Sequence, residues 1–277
     1  MSQPADQPIL SPQSLADVKR FAEKLPQTVI MSVMDFEWGE QIAKYLAQLA
    51  GYDYEVVYPE TKEEIDLEKG KINVKQAREL VLKTRTALKK NKIYIIYKAS
   101  TMNEQAQNAF LKNLEEPNSS TFFILLVDNL HSLLPTVISR AQSLKISPIS
   151  NEQSLQLIPS NIAPTIKQQI LFVANGNPVV IAKLVNDPAL IEKYSKHITI
   201  AKELLTANDY QKIIIINKLK ESREDAIATM EALVKIINTT IKSPDTKMLQ
   251  LLNNALDARN DLKANFNVRL TLMHHLI

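Results

Sequence analysis

Between Ser11 and about Pro148 short apolar runs alternate with amphipathic segments, and this alternation restricts the possible folds more than any other feature of the chain. The runs are Thr28 to Val33, Tyr54 to Tyr58, Lys92 to Tyr97 and Thr121 to Val127, and the last, Thr-Phe-Phe-Ile-Leu-Leu-Val, is the most hydrophobic. A continuous apolar run of this kind suits a central strand covered on both faces. Between the runs, Ile42, Leu46 and Leu49 share one helical stripe, and Val74, Ala77, Val81 and Leu88 share another; their spacings put each set on one side of a helix. Strands alternating with such helices predict an α/β domain with a mostly parallel sheet. Thr101 and Glu104 have the spacing of a capping box for the next helix, and Pro117 limits its end.

After Pro148 the strand signals fade. From Asn151 to about His197 the chain is punctuated by Pro159, Pro164, Gly176-Asn177-Pro178 and Pro188, which predicts short helices and tight turns. From about Ile198 to Ile277 the helices lengthen, with breaks near Ser222 and Ser243-Pro244-Asp245. The expected organisation is an α/β domain over residues 1–148, a small all-α lid over 149–197 and an all-α bundle over 198–277. No internal repeat or low-complexity tract interrupts it.

Composition narrows the function. At 277 residues and 45% hydrophobic content the chain can bury a sizeable core. The balance of 33 Lys+Arg against 30 Asp+Glu leaves a net charge of only +3, too little to make nucleic acid an obligate direct ligand. No cysteine occurs, which excludes a disulfide framework, a thiol nucleophile and a cysteine-based zinc site. His131 and His197 stand alone and His274-His275 would point apart on a helix, so no metal is expected. The polar N-terminus lacks a signal pattern and no run approaches the ~18 apolar residues of a membrane span, so a soluble, cytoplasmic chain without membrane contact is expected.

The most specific signal is the block from Asn103 to Gln142. It reads Asn-Glu-Gln-Ala-Gln-Asn-Ala-Phe-Leu-Lys-Asn-Leu-Glu-Glu-Pro, then the apolar strand and Asp128-Asn129, then Ser139-Arg140-Ala141-Gln142. This block resembles the AAA+ clamp-loader subunits that open sliding clamps for DNA replication, and within them the delta-prime branch of bacterial DNA polymerase III. Ile72 to Leu80 extends the resemblance upstream. It is strong over Ile72 to Ile146, recognisable in outline from Thr28, and only architectural beyond Pro148. The implied fold is an AAA+ P-loop-like α/β domain with a parallel sheet and a degenerate nucleotide site, then the all-α lid, then an all-α collar that joins other subunits into a ring. The family's four-cysteine zinc module is absent, since Leu49 leads through Gly51-Tyr52-Asp53 straight into the next strand.

An AAA+ ATPase needs a glycine-rich loop after the first strand, because consecutive backbone N–H groups must point at the phosphates, together with a lysine and a hydroxyl for Mg²⁺. Here the chain reads Met31-Ser-Val-Met-Asp-Phe-Glu-Trp-Gly-Glu-Gln41. A gap-free alignment of the next helix puts Gly39 near the family's lysine and Phe36 and Trp38 on its glycines. Asp35, Glu37 and Glu40 replace a cationic cradle, and phosphate would meet like charge. The aromatic pair reads more simply as core that fills the pocket. The acidic pair expected at the end of the third strand, one member on Mg²⁺ and the next on the attacking water, is Tyr97-Lys98. The family's polar sensor falls on Asp128 and its lid arginine near Val180. The resemblance therefore implies no hydrolysis in cis, no bound cofactor or metal, and ATP held by partner subunits.

Ser139-Arg140 survives. In the family a Ser-Arg-Cys motif supplies an arginine finger to the neighbour's γ-phosphate, so Arg140 is the expected trans-acting group, Ser139 positions it, and Ala141 is the departure. Glu115 and Glu116 fall in the last turn of their helix, where the dipole disfavours anions by about 0.3 to 1 kcal/mol each. Lys112, Arg140 or a basic partner can offset this, and with Pro117 these glutamates are expected at an interface, unless they form a solvated helix end. The cluster Lys83 to Lys92 reads as a solvated helix terminus or as a contact for DNA or clamp. The resemblance implies a delta-prime-like subunit in a hetero-oligomeric ring with ATPase and delta-like subunits, reaching the sliding clamp and primed DNA through the complex. A purely structural ring member and an atypical ATPase motor are the alternatives.

Overall fold

The computed structural model describes residues 7–61, 64–84, 90–115, 118–240 and 246–277. The chain divides into two compact units, one made of the residues up to Ile162 with Ala174–Lys183, the other of Ala163–Val173 with Leu184–Ile277.

The first unit runs α1 (Pro12–Glu23), β1 (Thr28–Ser32), α2 (Phe36–Leu49), β2 (Asp53–Val57), α3 (Val74–Thr84), β3 (Lys92–Ile96), α4 (Glu104–Glu115), β4 (Thr121–Val127), α5 (Pro135–Ile138), β5 (Gln142–Lys145) and α6 (Asn151–Gln156). Beyond α7 (Pro164–Ala174), most of α8 (Pro178–Asn186) also belongs to it. Among the described residues the strands form one five-stranded parallel sheet in the order β2-β3-β4-β1-β5. Ile30 lies opposite Leu125 on one side and Ser143 on the other.

Both faces of the sheet are covered, which is why its strands read as unbroken apolar runs. Ile30, Tyr94, Ile96, Phe123 and Leu125 pack with Ala77 and Leu80 of α3 and Ala106 and Phe110 of α4. The alternate residues Val29, Met31, Ile93, Ile95, Ile124 and Leu126 point the other way and are fully buried too. On that side α2 packs on β2, β3 and β4.

Three sequence expectations change. The strand β5 lies outside the apolar runs because Gln142-Ser-Leu-Lys145 buries only Leu144, as an edge strand can. The helix α4 is capped by Asn103, whose Oδ1 accepts the Ala106 N–H at 2.8 Å, and not by Thr101. The Thr101 hydroxyl instead donates to the Lys98 carbonyl and accepts the Ile72 N–H. Leu49 is exposed, and Ala43 and Ala47 complete the buried stripe of Ile42 and Leu46. Leu88, Pro117 and the break at Ser243-Pro244-Asp245 lie outside the described residues.

The second unit is helical, with α7, α9 (Pro188–Thr206), α10 (Asp209–Leu219), α11 (Arg223–Thr240), α12 (Thr246–Lys263) and α13 (Val268–Leu276). Leu204, Ile216, Met230, Leu233, Leu262 and Leu272 form its core. The Arg223 guanidinium donates to the carbonyls of Leu262 and Phe266, both at 2.8 Å, and so ties the start of α11 to the last turn of α12 and the turn that follows it. The break at Ser222 is a helix start, its hydroxyl accepting the Asp225 N–H. The buried His197 ring meets Asp225 at 2.9 Å. Among the described residues no helix is long and apolar enough to cross a membrane.

These contacts set the stability of each unit. Gly176 has φ +74°, and an added Cβ would meet the Ile149 carbonyl oxygen at 2.4 Å, while its own carbonyl accepts the Ile149 N–H. Gly176→Ala should destabilise the first unit by about 1–3 kcal/mol, read as a lower urea midpoint with an unchanged slope. The hydrogen bond from His197 holds the Asp225 carboxyl below its ordinary value. This stabilisation is present above the unfolded carboxyl value of about 3.9 and is lost as pH falls through the lowered folded value. Thermal melts of the protein and its Asp225→Asn form should therefore differ at neutral pH and converge in that acid window.

Candidate functional site

In an open parallel sheet the ligand crevice lies outside the carboxyl ends of the strands, where neighbouring strands send their connections in opposite directions. Here those strands are β1, whose chain moves off toward β2, and β4, whose chain crosses to β5. Their ends are tied by the Val33 N–H donating to the Val127 carbonyl at 2.9 Å. The segment Val33 to Trp38, the pair Tyr97-Lys98 and Asp128 all come directly after strand ends at this edge.

The start of α2 is occupied by its own side chains. Asp35 caps the helix, its Oδ1 accepting the Trp38 N–H at 2.8 Å, so one of the amides that could face an anion is already used. Trp38 is 1% exposed and its indole N–H donates to the Ile9 carbonyl at 3.2 Å, which makes it core. A Cβ on Gly39 would meet Val33 Cγ1 at 2.8 Å, so this glycine serves the close approach of α2 to the strand end. Phe36 is half-buried against Tyr97, with ring centroids 5.5 Å apart, and Tyr97 in turn lies 5.4 Å from Tyr58. The Tyr58 hydroxyl donates to Glu40 at 2.6 Å, and Glu40 also pairs with Lys44 at 2.6 Å.

Lys98 adopts a left-handed backbone with φ 51°, uncommon for a residue with a side chain. Its ammonium donates to the Leu67 carbonyl and lies 5.6 Å from the centroid of the Phe36 ring. Glu37 pairs with Lys183 of α8 at 2.6 Å. Asp128 is exposed and Val180 is half-buried within α8. Burial, then the carboxylates of Glu40, Asp35 and Glu37, push the Tyr97 phenol up to about 12. Burial and the Glu40 hydrogen bond push Tyr58 up as well. The crevice thus presents rings, carboxylates and an engaged lysine. Tyr58 and Lys183 carry no signal of this role in the sequence, because nothing in their local spacing joins them to residues so far along the chain.

The Ser139-Arg140 segment comes after α5. The buried Gln107 of α4 fixes where α5 begins, its Oε1 accepting the Leu134 N–H at 2.7 Å and its Nε2 donating to the carbonyls of Met102 and Ser132. Ser139 ends that short helix and its hydroxyl donates to the Thr136 carbonyl. Arg140 is exposed; its NH1 donates to the Thr136 carbonyl at 3.0 Å and its NH2 pairs with Glu115 at 3.1 Å. Glu115 therefore has in Arg140 the cation that its place in the last turn of α4 calls for. Glu116 and Pro117 lie outside the described residues. The basic cluster separates: Lys83 and Lys92 both pair with Glu55, at 2.9 and 2.6 Å, while residues 85–89 lie outside the described residues. Burial alone would raise the Glu55 carboxyl, yet the two lysines hold it below its ordinary value.

A crystal structure of a DNA polymerase III gamma subunit-related protein from Thermotoga maritima has the same fold, with a TM-score of 0.58 at 19% identity over 95% of this chain and 97% of that one. The two chains thus share one architecture, a parallel sheet with flanking helices followed by a helical region. Residues 26–150 match the family model for DNA polymerase III, delta subunit. The DNA polymerase III subunit delta' of Bacillus subtilis (strain 168) is 25% identical over 219 residues, 67% of this chain and 64% of that protein. That of Pseudomonas aeruginosa is 33% identical over 138 residues, 48% of this chain and 40% of that protein. The chain is thus similar to the delta-prime subunits of DNA polymerase III, and its matches span less than two thirds of the length of these curated relatives.

The tyrosines of the crevice give a direct test of its packing. An unfolded tyrosine ionises near 10, so the stability gained by keeping a phenol neutral in the fold is present below about 10 and is lost as pH rises until the folded form ionises too. Titration monitored by tyrosinate absorbance should show late-ionising tyrosines, and Tyr97→Phe should remove one of them.

Proposed function

We propose that this chain is a non-hydrolysing, delta-prime-like subunit of a DNA polymerase III clamp loader, working in the cytoplasm within a hetero-oligomeric ring. It binds no nucleotide or metal of its own. It supplies Arg140 across a subunit boundary to ATP held by a neighbouring ATPase subunit, with Ser139 setting the start of the finger. Through that assembly, with ATPase and delta-like partners, it takes part in loading the sliding clamp onto primed DNA, and its helical C-terminal part serves as the collar. The observation that carries the reading is the contrast between the two ends of the first unit's chemistry. The crevice at β1 and β4 is filled by Phe36, Tyr97 and three carboxylates, whereas Arg140 stands exposed just after a short helix whose start is fixed by Gln107. A planar cation on a rigid mount stabilises transferring phosphate without requiring a nucleotide in its own chain.

A purely structural ring member is the second reading, and one observation favours it: the Arg140 guanidinium is already paired within its own chain by Glu115. The two readings part on a single substitution. With the ATPase subunits, clamp and primed DNA, the protein should stimulate ATP hydrolysis, and Arg140→Ala should reduce that stimulated turnover by about tenfold or more while leaving assembly intact, arginine fingers elsewhere being worth about 10³–10⁵. Equal stimulation by both forms would establish the structural role, and saturable binding of Mg-ATP by the isolated chain, with its turnover, would overturn the reading that it neither binds nor hydrolyses nucleotide.

A further inference from the structure

We infer that Glu115 is a positioning residue for Arg140: the last turn of α4 supplies a carboxylate that holds the guanidinium in the orientation in which it meets a phosphate of the neighbouring subunit. The inference rests on the reading of Arg140 as a trans-acting group and adds a residue outside the Ser139-Arg140 motif.

A free arginine on a surface samples many rotamers, and each must be abandoned when the side chain docks. Arg140 is restrained at separate points. Its NH1 donates to the Thr136 carbonyl at 3.0 Å and lies 3.4 Å from the Ser139 hydroxyl, both anchors coming from the turn that carries it. Its NH2 meets Glu115 Oε1 at 3.1 Å, and this third anchor comes from a different helix. Two anchors from one turn leave the plane of the fork able to swing, whereas one from α4 fixes it. Among the described residues the Nε–H has no protein partner, and the side chain keeps 37% of its surface exposed. One face of the fork is therefore held by the protein while N–H groups stay open to an oxyanion. Glu115 is itself half exposed and sits where the dipole of α4 disfavours an anion, so the pair relieves both ends. Gln107, two turns earlier on the same helix, sets the start of α5, so α4 fixes both the base and the tip of the Arg140 segment.

The test measures clamp- and primed-DNA-stimulated ATP hydrolysis by the assembled ring containing the unaltered chain, Glu115→Gln, Glu115→Ala, Arg140→Ala or the Glu115→Ala/Arg140→Ala pair. Glu115→Ala should lower kcat about tenfold with KM for ATP unchanged, within the roughly 10²-fold that a misplaced group can lose, and Glu115→Gln, which keeps an acceptor oxygen, should restore part of it. The double variant should be no worse than Arg140→Ala alone. Full or raised activity of Glu115→Ala alongside a defective Arg140→Ala overturns the positioning role and leaves the finger standing. Additive losses, or failure of the Glu115 variants to enter the ring, assign Glu115 to another contact and overturn it as well. No effect of Arg140→Ala rejects the finger itself and the inference with it.

Discussion

The backbone ladder of β1 is hydrogen-bonded to β4 on one side and to β5 on the other, and the chemistry of the first unit depends on that placement. Val29 to Ser32 sit opposite both partners at once, so a short buried strand gathers the ends of segments more than ninety residues apart. The Val33 N–H extends the ladder to Val127, and the Ile146 N–H does so to Ser32. The residues immediately after each strand are thereby brought to one edge, whatever their side chains are. The crevice at that edge holds rings, carboxylates and an engaged lysine.

The buried polar groups of this unit act on the chain's course more than on its stability. Gln107 uses both ends of its amide, and each bond goes to backbone between Met102 and Leu134. A buried amide left unpaired is expensive, so the loop after β4 has one satisfactory path. Asp35 plays the same part at α2 and Thr101 at the turn between β3 and α4. Gln107 and Asp35 decide where α5 and α2 begin, and helix starts decide which side chains face the crevice and which face outward.

Much of this is legible in the sequence because burial on both faces of the sheet leaves an uninterrupted apolar run, as Thr121 to Val127 shows. That the segment after β1 is not glycine-rich is legible for an equally local reason, since Phe36 and Trp38 stand close together in it. The strand β5 is not legible, because an edge strand with a single buried Leu144 carries little pattern. Capping by Asn103 is obscured because Thr101 offers the same spacing signal, and only the hydrogen bonds show that its hydroxyl is committed elsewhere. The Tyr58 contact with Glu40 and the Lys183 contact with Glu37 join residues from different elements, and no periodicity in one segment can announce them, whereas the pairing of Arg140 with Glu115 follows from the need for a cation at the end of α4.

Among the described residues no strand pairs with the outer side of β2, and Glu55 lies in the middle of that strand. Lys92 reaches Glu55 from the neighbouring strand and Lys83 from α3, at 2.6 and 2.9 Å. An extended peptide approaching this edge would have to strip water from a carboxylate and two ammonium groups before its own amides found partners. The sheet therefore carries a guard against the addition of a foreign strand, the contact from which β-rich chains begin to aggregate.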